Sequence, residues 1–474
     1  MKVVIIISIF FSKFTRDFSY SFILNVTTIL VKTIFVFILP RIIGVRDFGY
    51  WQLYFLYSFF IPFGHLGLVD GIYLRNGGKF YHELDFESLR SQFLILGGLG
   101  FIWAIFIVLG ANFFVYDQNK IFILTIIALD IILTLPRTLI SVVFQMTGMI
   151  KQFSYSLMSE SISSFLIIIL MIAFGIRDFH YFILADCLAR CVSLLVSIKN
   201  APGFLSATFA KLGTSLKYAK SNISIGIYLL LSNMIGLVVV SSVRFAVESH
   251  WGLIVFSKVS LAFSISSVAL TATSAASIVL FPLLKRLTIE NQSQSFEALS
   301  ISLLTILSLA FILYFPGVKI LSWWLPKYNE SLFYLTLILP MTIFDSQFLV
   351  IGSNFLKVLR KERTFFLINI IAVVITGIII SMVLYFKLPL EYLLIGLFVQ
   401  SASKFIFSNW IVSKIFNRMY WYALIMGLVV SILFWGSNLL IGGWIGFFAY
   451  IVGIGLVTFL ARKTVHQAIN RLRN

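Results

Sequence analysis

The amino-acid sequence predicts an all-α polytopic membrane protein with about fourteen transmembrane helices. The first observation is composition: of 474 residues, 60% are hydrophobic and only 11% are charged, whereas soluble proteins are roughly 25% charged. The second is that apolar segments of about 20 residues, the length that crosses a bilayer as a helix, follow one another between short stretches rich in charge, Pro and Gly. The third is a formal net charge of +18, because basic residues of membrane proteins collect in cytoplasmic loops.

Breaks in the apolar pattern define the individual elements. The predicted spans are residues 19–40, 50–74, 91–115, 120–146, 153–175, 179–198, 221–244, 250–284, 297–316, 331–355, 364–386, 390–413, 419–439 and 441–461. With the N-terminus in the cytoplasm, 23 of the 36 Lys and Arg residues fall on inner sides and 8 on outer sides. This bias predicts a multi-pass membrane protein with both termini cytoplasmic, and it explains the positive charge without a nucleic-acid partner.

The connections between the spans argue against an enzyme. The longest, residues 199–220, is too short for a catalytic domain, and the chain has no G-x-x-x-x-G-K-[ST] phosphate-binding loop. Cys187 and Cys191 have no histidine or further thiol close in sequence, which argues against a metal site. We therefore expect a protein without catalytic residues, metal or cofactor.

Two stretches that follow the first and the seventh predicted spans are similar. In "RIIGVRDFGYW", Arg41 stands eight residues before Gly49; in "RFAVESHWGL", Arg244 stands eight residues before Gly252. An aromatic residue precedes each glycine, and six spans separate the copies, so two halves would run through the membrane in the same direction. We interpret these four residues as a structural turn motif, in which glycine permits a close turn and the aromatic residue lies at the membrane interface.

The stretches "ILPRIIGVRDFGYWQLY" and "FGHLGLVDGIYLRNGGK" resemble motifs of the polysaccharide-biosynthesis, O-antigen (Wzx-type) flippases of the multidrug/oligosaccharidyl-lipid/polysaccharide exporter superfamily. The motif likeness covers mainly residues 35–80, while length and layout agree over the whole chain. The resemblance implies two six-helix lobes around a central cavity, two additional C-terminal helices and transport by alternating access. The expected parts are an N-terminal six-helix lobe, a C-terminal six-helix lobe, and two further helices with a basic cytoplasmic tail: residues 1–220, 221–413 and 414–474.

Ten charged residues fall inside predicted spans, where a central charge costs roughly 2.5–3.5 kcal/mol on insertion scales. Such side chains must face protein or water, and this makes them candidates for function. The cations are candidates for a substrate-binding cavity: Lys32, Arg137, Arg190, Lys404 and Lys258. The acids are candidates for coupling or ion pairing: Asp130, Glu160, Asp186, Asp345 and Asp70. Internal pairing competes with the cavity interpretation, since some of these residues share a helix face or a depth: Asp130 with Arg137, Asp186 with Arg190, and Arg137 with Glu160.

A cation-lined cavity suits an anionic head group. A polyprenyl-pyrophosphate-linked oligosaccharide carries a pyrophosphate that cannot cross hydrocarbon unaided, and arginine can bind phosphate through two parallel hydrogen bonds. We therefore expect a flippase for such a lipid-linked oligosaccharide, an O-antigen or similar repeat unit used in lipopolysaccharide, with membrane lipids and other polysaccharide-assembly membrane proteins as candidate partners. The alternatives are a multidrug or cation antiporter of the same superfamily, which would favour an acid-rich cavity, and a membrane polysaccharide polymerase, which would need a long external loop.

Overall fold

The structure, a computed structural model, describes residues 26–473 apart from 32, 205 and 286. These residues form helices joined by short turns, with no β-strand among them, which confirms the predicted all-α class. By its packing the chain divides into two compact units, Met1–Met234 (unit 1) and Ile235–Asn474 (unit 2). The predicted division at residues 220 and 413 stays a prediction, because packing in one state does not test which helices move together.

The helices of unit 1 follow the predicted spans closely, and one long helix passes from this unit into the next. In chain order the helices are α1 (26–42, residue 32 apart), α2 (Val45–Ser58), α3 (Leu68–Asn76), α4 (Phe86–Phe114), α5 (Gln118–Met146), α6 (Ile150–Ala173), α7 (Phe179–Lys199) and the first part of α8 (Leu212–Lys285). Within this unit α5 packs against α2, α3, α4, α6 and α7. It is therefore the central helix, and polar side chains on it are enclosed by protein.

Unit 2 contains the remainder of α8 and a series of helices with two π-helical turns. The helices are α9 (Ile289–Ala310), α10 (Tyr314–Trp324), α11 (Asn329–Ile338), α12 (Met341–Ser346), α13 (Ser353–Val358), α14 (Glu362–Tyr385), α15 (Leu390–Ile415), α16 (Trp421–Trp435) and α17 (Gly443–Arg473). One π-helical turn, Gln347–Gly352, joins α12 to α13, and the other, Gly436–Ile441, extends α16. An aromatic core runs through the unit, where Phe296 packs against Phe355 and Tyr420 at ring-centroid distances of 4.9 Å.

The described residues contain nine helices long and apolar enough to cross a membrane, or eleven if two bent helix pairs each count as one span. This supports a multi-pass membrane protein but does not confirm the count of fourteen. Four predicted spans account for the difference of three. The spans 221–244 and 250–284 count as one because both lie in α8, although Gly252 interrupts that element. The span 441–461 has a described apolar part of only Gly443–Phe459, and the span 19–40 lies partly outside the described residues.

The predicted turn motif is wrong for one of its two glycines. Gly252 interrupts α8 with φ 82° and ψ 173°, a conformation that glycine adopts without steric cost. Gly49, in contrast, is a buried residue in the first half of α2. The break after α1 falls instead at Gly44, three residues after Arg41, since Gly44 has the extended conformation that precedes the first turn of α2. The shared spacing of eight residues therefore does not mark equivalent turns, and the superposition of two halves stays a prediction.

Three helices of unit 1 begin at an aspartate whose carboxylate accepts hydrogen bonds from free backbone N–H groups, as expected for a strong N-cap. Asp85 accepts from Ser88 N at 3.1 Å, Asp117 from Asn119 N at 2.9 Å and Asp178 from His180 N at 2.9 Å, at the starts of α4, α5 and α7 respectively. A long apolar run begins within eight residues after each aspartate. These caps fix where the helices start and hence the height at which their buried polar residues lie.

Candidate functional site

Five of the charged residues predicted inside spans meet in unit 1: Asp130 and Arg137 from α5, Glu160 from α6, and Asp186 and Arg190 from α7. We call them the five-charge cluster. Separations of seven and four residues place the two members on α5, and the two on α7, on one face of their helix. The close packing of α5 with α6 and α7 then turns three separate faces into one network.

Arg190 lies at the centre of this cluster and is only 7% exposed. Its Nε and Nη2 each donate a hydrogen bond to Asp186 Oδ2 at 3.2 Å. The Nε atom also lies 3.6 Å from Asp130 Oδ2 and 3.9 Å from Glu160 Oε1, and Nη2 donates to Ser58 Oγ at 3.3 Å. A guanidinium can be buried at such a place because three carboxylates and a hydroxyl replace the water it has lost.

Arg137 and Glu160 form the second part of the cluster. Arg137 Nη1 lies 2.5 Å from Glu160 Oε2, so the pairing expected between α5 and α6 is present. The same nitrogen donates to Ser193 Oγ at 3.0 Å, whereas Arg137 Nε is buried without a hydrogen-bond partner among the described residues. Glu160, whose side chain is 24% exposed, contacts both arginines and is the most accessible of the three carboxylates. It is the member of the cluster that a ligand could displace.

Tyr54 of α2 completes the site and was missed by sequence reasoning. Its hydroxyl lies 2.7 Å from Asp130 Oδ2 and 2.8 Å from Asp186 Oδ2, and its ring lies 5.6 Å from the Arg190 guanidinium carbon. A phenol has a single proton to donate, so both short contacts are hydrogen bonds only if one carboxyl group carries a proton. The residue could not be singled out in advance, since 16% of the chain is aromatic.

The five-charge cluster contains more acidic than basic groups. Three carboxylates face two guanidinium groups, so the five residues by themselves carry a formal charge of −1 when all are ionised. A charge enclosed by protein at this depth is costly. Binding of one proton or another monovalent cation would neutralise it, and the double contact of Tyr54 OH fits a bound proton.

In unit 2, the two lysines predicted inside spans each pair with a single acid. Lys404 Nζ of α15 lies 2.6 Å from Asp345 Oδ1 of α12 and 5.5 Å from the centre of the Phe348 ring, with side chains 16% and 18% exposed for the pair. Lys258 Nζ of α8 lies 2.7 Å from Glu330 Oε1, whose side chain is 60% exposed. Neither lysine has an acid within a turn on its own helix, so both partners come from the tertiary fold.

The other predicted site residues lie apart from the five-charge cluster. Asp70 is on α3, where its Oδ2 atom is 3.8 Å from His65 Nε2. Arg244 is buried in α8, donates to Ser260 Oγ at 3.1 Å and lies 5.3 Å from the centre of the Phe256 ring. Arg41 is exposed near the end of α1, and Lys32 lies outside the described residues. Across the described part of the chain, no three His, Cys, Asp or Glu side chains are arranged to hold a metal ion.

Comparison with known proteins gives a fold and no sequence relative. No protein-family model matches the chain, and no curated protein matches it by sequence. Among solved structures, the lipid II flippase MurJ in an inward closed conformation matches with a TM-score of 0.64 at 13% identity, over 95% of this chain and 100% of that one. An inward-facing multidrug resistance MATE family transporter of the MOP superfamily matches with a TM-score of 0.59 at 13% identity, over 82% and 98%. The eukaryotic MATE transporter AtDTX14 matches with a TM-score of 0.50 at 14% identity, over 87% and 98%.

The chain thus has the fold of the MOP (multidrug/oligosaccharidyl-lipid/polysaccharide) transporters. This agrees with the fold that the sequence resemblance implied. Proteins with different cargoes share that fold, and at 13–14% identity the likeness concerns the fold alone. Function must therefore be argued from the site.

Proposed function

We propose that this chain is a flippase of the bacterial inner membrane. It moves a polyprenyl-pyrophosphate-linked oligosaccharide, an O-antigen or similar repeat unit, across the membrane by alternating access. The fold likeness to a lipid II flippase over 95% of the chain and the resemblance of residues 35–80 to O-antigen flippase motifs support this proposal. Membrane lipids and other polysaccharide-assembly proteins would be its neighbours, and no covalent chemistry is required.

The observation that carries the proposal is the sharing of Glu160 by two buried arginines. Glu160 lies 2.5 Å from Arg137 Nη1 and 3.9 Å from Arg190 Nε, and it is more exposed than the arginines it contacts. Without it, the two arginines remain balanced by Asp130 and Asp186. A phosphate oxygen that replaces the Glu160 carboxylate would therefore meet a compact pair of guanidinium groups, of which Arg137 Nε has no hydrogen-bond acceptor among the described residues. Exchange of one carboxylate for a phosphate oxygen makes binding reversible, as transport requires.

The test is genetic and chemical. Deletion of the gene should remove surface polysaccharide and cause lipid-linked precursor to accumulate, and the intact chain should restore export. Arg137→Ala should lose export while the protein remains in the membrane, since each charge-assisted hydrogen bond contributes about 1.5–3 kcal/mol. Arg137→Lys should restore part of it, because lysine supplies the charge but not the planar pair of donors. Normal polysaccharide in the deletion strain, or from a stably inserted Arg137→Ala protein, would contradict the proposal.

The second candidate function is export of a cationic compound in exchange for protons, as in a multidrug antiporter. The surplus carboxylate of the five-charge cluster favours it, because an anionic site attracts cations. Drug susceptibility measured in the same deletion strain separates the two candidates. Increased susceptibility to cationic drugs with normal polysaccharide would favour the antiporter, and the reverse would favour the flippase.

The proposed orientation, with both termini cytoplasmic, is tested by thiol labelling. With both native cysteines replaced by serine, Asn329→Cys should react with an impermeant reagent added outside intact cells, and Lys217→Cys should react only after the membrane is opened. Both positions are exposed, so burial does not limit either reaction. Reaction of Lys217→Cys in intact cells would contradict the orientation.

A further inference from the structure

The segment "FGHLGLVDG" contains a sharp bend followed by a short helix. Two consecutive residues, Leu66 with φ 52° and Gly67 with φ 86°, have left-handed backbone conformations. They separate α3, which is only nine residues long, from the helical stretch before it, and the two pieces meet at an angle of 57°. Because only a two-residue turn joins α3 to the preceding stretch, α3 can change direction without distorting a regular helix.

The first turn of α3 packs directly on the backbone of α8 in unit 1. A Cβ atom built at Gly226 would overlap the Gly67 carbonyl oxygen and the Gly71 nitrogen, and one built at Gly71 would overlap the Asn222 carbonyl oxygen. The two backbones therefore touch with no side chain between them, which is how small residues allow helices in membranes to approach closely. We call the contact of Gly67 and Gly71 with Gly226 the glycine seam.

Two polar oxygens are buried unsatisfied at this seam. Asn222 is 4% exposed, and its Oδ1 atom has no hydrogen-bond partner within the described residues; the same holds for Asp70 Oδ2. His65 Nε2 lies 3.8 Å from Asp70 Oδ2, beyond hydrogen-bond distance. Buried polar groups in native proteins are nearly always paired. These two would gain water as a partner if the seam parted.

Apart from a hydrogen bond of 2.9 Å from Gln92 Nε2 of α4 to Ser215 O, few contacts attach the first part of α8 to its surroundings. Its buried residues form one narrow stripe at helical spacing: Ser215, Ala219, Asn222, Gly226 and Leu230. The faces on either side are exposed and include large apolar residues: Leu212, Leu216, Tyr218, Ile225 and Tyr228. Near the C-terminal end of α3, Arg75 Nη2 donates a hydrogen bond of 2.7 Å to Ser221 Oγ, next to this stripe. Separation of α3 from α8 would thus expose only this narrow stripe of residues and not a large hydrophobic core.

We propose that the glycine seam between α3 and α8 is a gate contact that closes in one state of the transport cycle and parts in another. The close fit of the glycines stabilises the closed form, and the unsatisfied oxygens of Asp70 and Asn222 favour the open one. These opposed contributions allow small changes elsewhere in unit 1 to open or close the seam. The purpose of the gate rests on the proposed transport function, whereas its opening can be measured without knowledge of the cargo.

Opening is tested by thiol labelling in native membranes, in the full chain with Cys187→Ser and Cys191→Ser. Asn222→Cys should react with membrane-permeant N-ethylmaleimide at a rate between those of two controls on the same unit. The exposed control is Leu216→Cys, and the buried control away from the seam is Ala201→Cys, where Ala201 is 4% exposed. Gly226→Ala should raise the Asn222→Cys rate several-fold, because the added methyl group wedges the seam apart. Gly213→Ala on the same helix should not, since no described atom lies within 4 Å of a Cβ there. An Asn222→Cys protein as unreactive as Ala201→Cys would overturn the proposal.

Locking the seam tests its role in transport. In the same cysteine-free background, Arg75→Cys and Ser221→Cys can be bridged by a short bismethanethiosulfonate and released by a reductant. Bridging should reduce export of surface polysaccharide at least ten-fold, and the reductant should restore it. Each single variant treated in the same way should continue to export. Export that continues after complete bridging would overturn the gate. If the unbridged protein exports no polysaccharide because the proposed cargo is wrong, the labelling rates still decide whether the seam opens.

Discussion

The two units of this protein treat charge inside the membrane in different ways. Unit 1 collects three acids and two arginines into one enclosed network on α5, α6 and α7, with Asp130 0% and Arg190 7% exposed. Unit 2 holds Lys404 and Lys258 in one-to-one pairs with acids of other helices, each pair partly open to its surroundings, while its buried Arg244 bonds a serine of the same helix. The difference indicates that unit 1 has the less replaceable charges, because removal of one member of a buried network leaves its partners uncompensated.

Unit 2 is instead rich in buried amides and hydroxyls around its first π-helical turn. Gln347 Nε2 donates to Ser300 O at 2.7 Å, and Asn354 Nδ2 donates to Ser277 Oγ at 2.8 Å and to Val350 O at 2.8 Å. Such neutral groups tie α8, α9 and α13 together without the desolvation cost of a charge. The π-helical turn itself adds one residue to a helical turn, and such turns are frequent at functional sites.

The largest effect of this difference should follow Arg190→Ala. The change leaves Asp130 and Asp186 facing each other around Tyr54 without a cation, so we expect a loss of about 3–5 kcal/mol in the free energy of unfolding and complete loss of export. Thermal unfolding in detergent and membrane protein level measure the first, and surface polysaccharide the second.

A paired change is the control for Arg190→Ala. Arg190→Ala combined with Asp186→Ala removes one charge of each sign, so stability should recover by more than half even if export does not. Recovery of both stability and export would assign Arg190 a structural role alone. Equal instability of the single and paired variants would contradict the electrostatic account of the cluster.

A smaller effect is expected from Tyr54→Phe, which keeps the ring and removes the hydroxyl. Two buried carboxyl oxygens lose the hydroxyl that both contact, which should cost about 1–3 kcal/mol. Because the hydroxyl lies between the Asp130 and Asp186 carboxyl groups, the pH dependence of export should also change. Tyr50→Phe, one turn earlier on α2, removes a hydroxyl that bonds Asp117 outside the cluster and should leave the pH dependence of export unaltered. An identical change in both variants would contradict a role for Tyr54 in the charge network.

Lys404→Met should have a weaker effect than Arg190→Ala, because it leaves only the Asp345 carboxylate without its cation, whereas Arg190→Ala leaves two buried carboxylates. The methionine keeps the apolar length of the side chain against Phe348. Thermal unfolding of Lys404→Met and Arg190→Ala under the same conditions measures the contrast between the units. A loss from Lys404→Met as large as that from Arg190→Ala would show that exposure does not distinguish the two units.

The fold class and most helices could be predicted from the sequence because hydrophobic runs reflect the solvent around each segment. Helix α5 at Gln118–Met146 against the predicted 120–146, and α7 at Phe179–Lys199 against 179–198, show how closely charge and N-cap residues fix helix ends. The turn at Gly49 failed for a different reason. A match of a few residue types at fixed spacing says nothing about backbone conformation, which in α2 is decided by the extended Gly44 and the packing of buried aromatic residues.

The site was predictable only where its partners are close in sequence. Asp186 and Arg190 share a helix turn, and Arg137 and Glu160 lie on consecutive helices, so these contacts could be expected. The partners of Lys404 and Lys258 come from Asp345 and Glu330, 59 and 72 residues away, and Tyr54 joins acids 76 and 132 residues away. Such contacts depend on which helices become neighbours, and sequence spacing along one helix does not contain that information.

The smallest predicted effect concerns the helix caps, where the units also differ. Unit 1 begins α5 with Asp117, whose carboxylate accepts from Asn119 N at 2.9 Å and from Tyr50 OH at 2.7 Å. In unit 2, Thr288 begins α9 with a longer bond of 3.4 Å from Asn291 N. Partial burial by itself raises the pKa of Asp117, but the hydrogen bonds from Tyr50 and from backbone N–H groups outweigh it and lower the pKa below its ordinary value.

A carboxyl group whose pKa is lower in the folded state stabilises the fold above its unfolded pKa, near 4, and that contribution is lost as pH falls through the folded pKa. Asp117→Ala should therefore lower the free energy of unfolding by about 1 kcal/mol at pH 7, and the difference from the unaltered chain should shrink below about pH 4. Asp117→Asn, which keeps a capping oxygen but no charge, should lose less at pH 7 and should not gain stability between pH 3 and pH 5 as the unaltered chain does. Thr288→Ala is the matched change in unit 2, and its effect should not vary with pH, because a hydroxyl does not titrate in this range. Thermal unfolding at several pH values measures all three, and an Asp117→Ala effect that is constant down to pH 3 would show that the Asp117 charge does not stabilise unit 1.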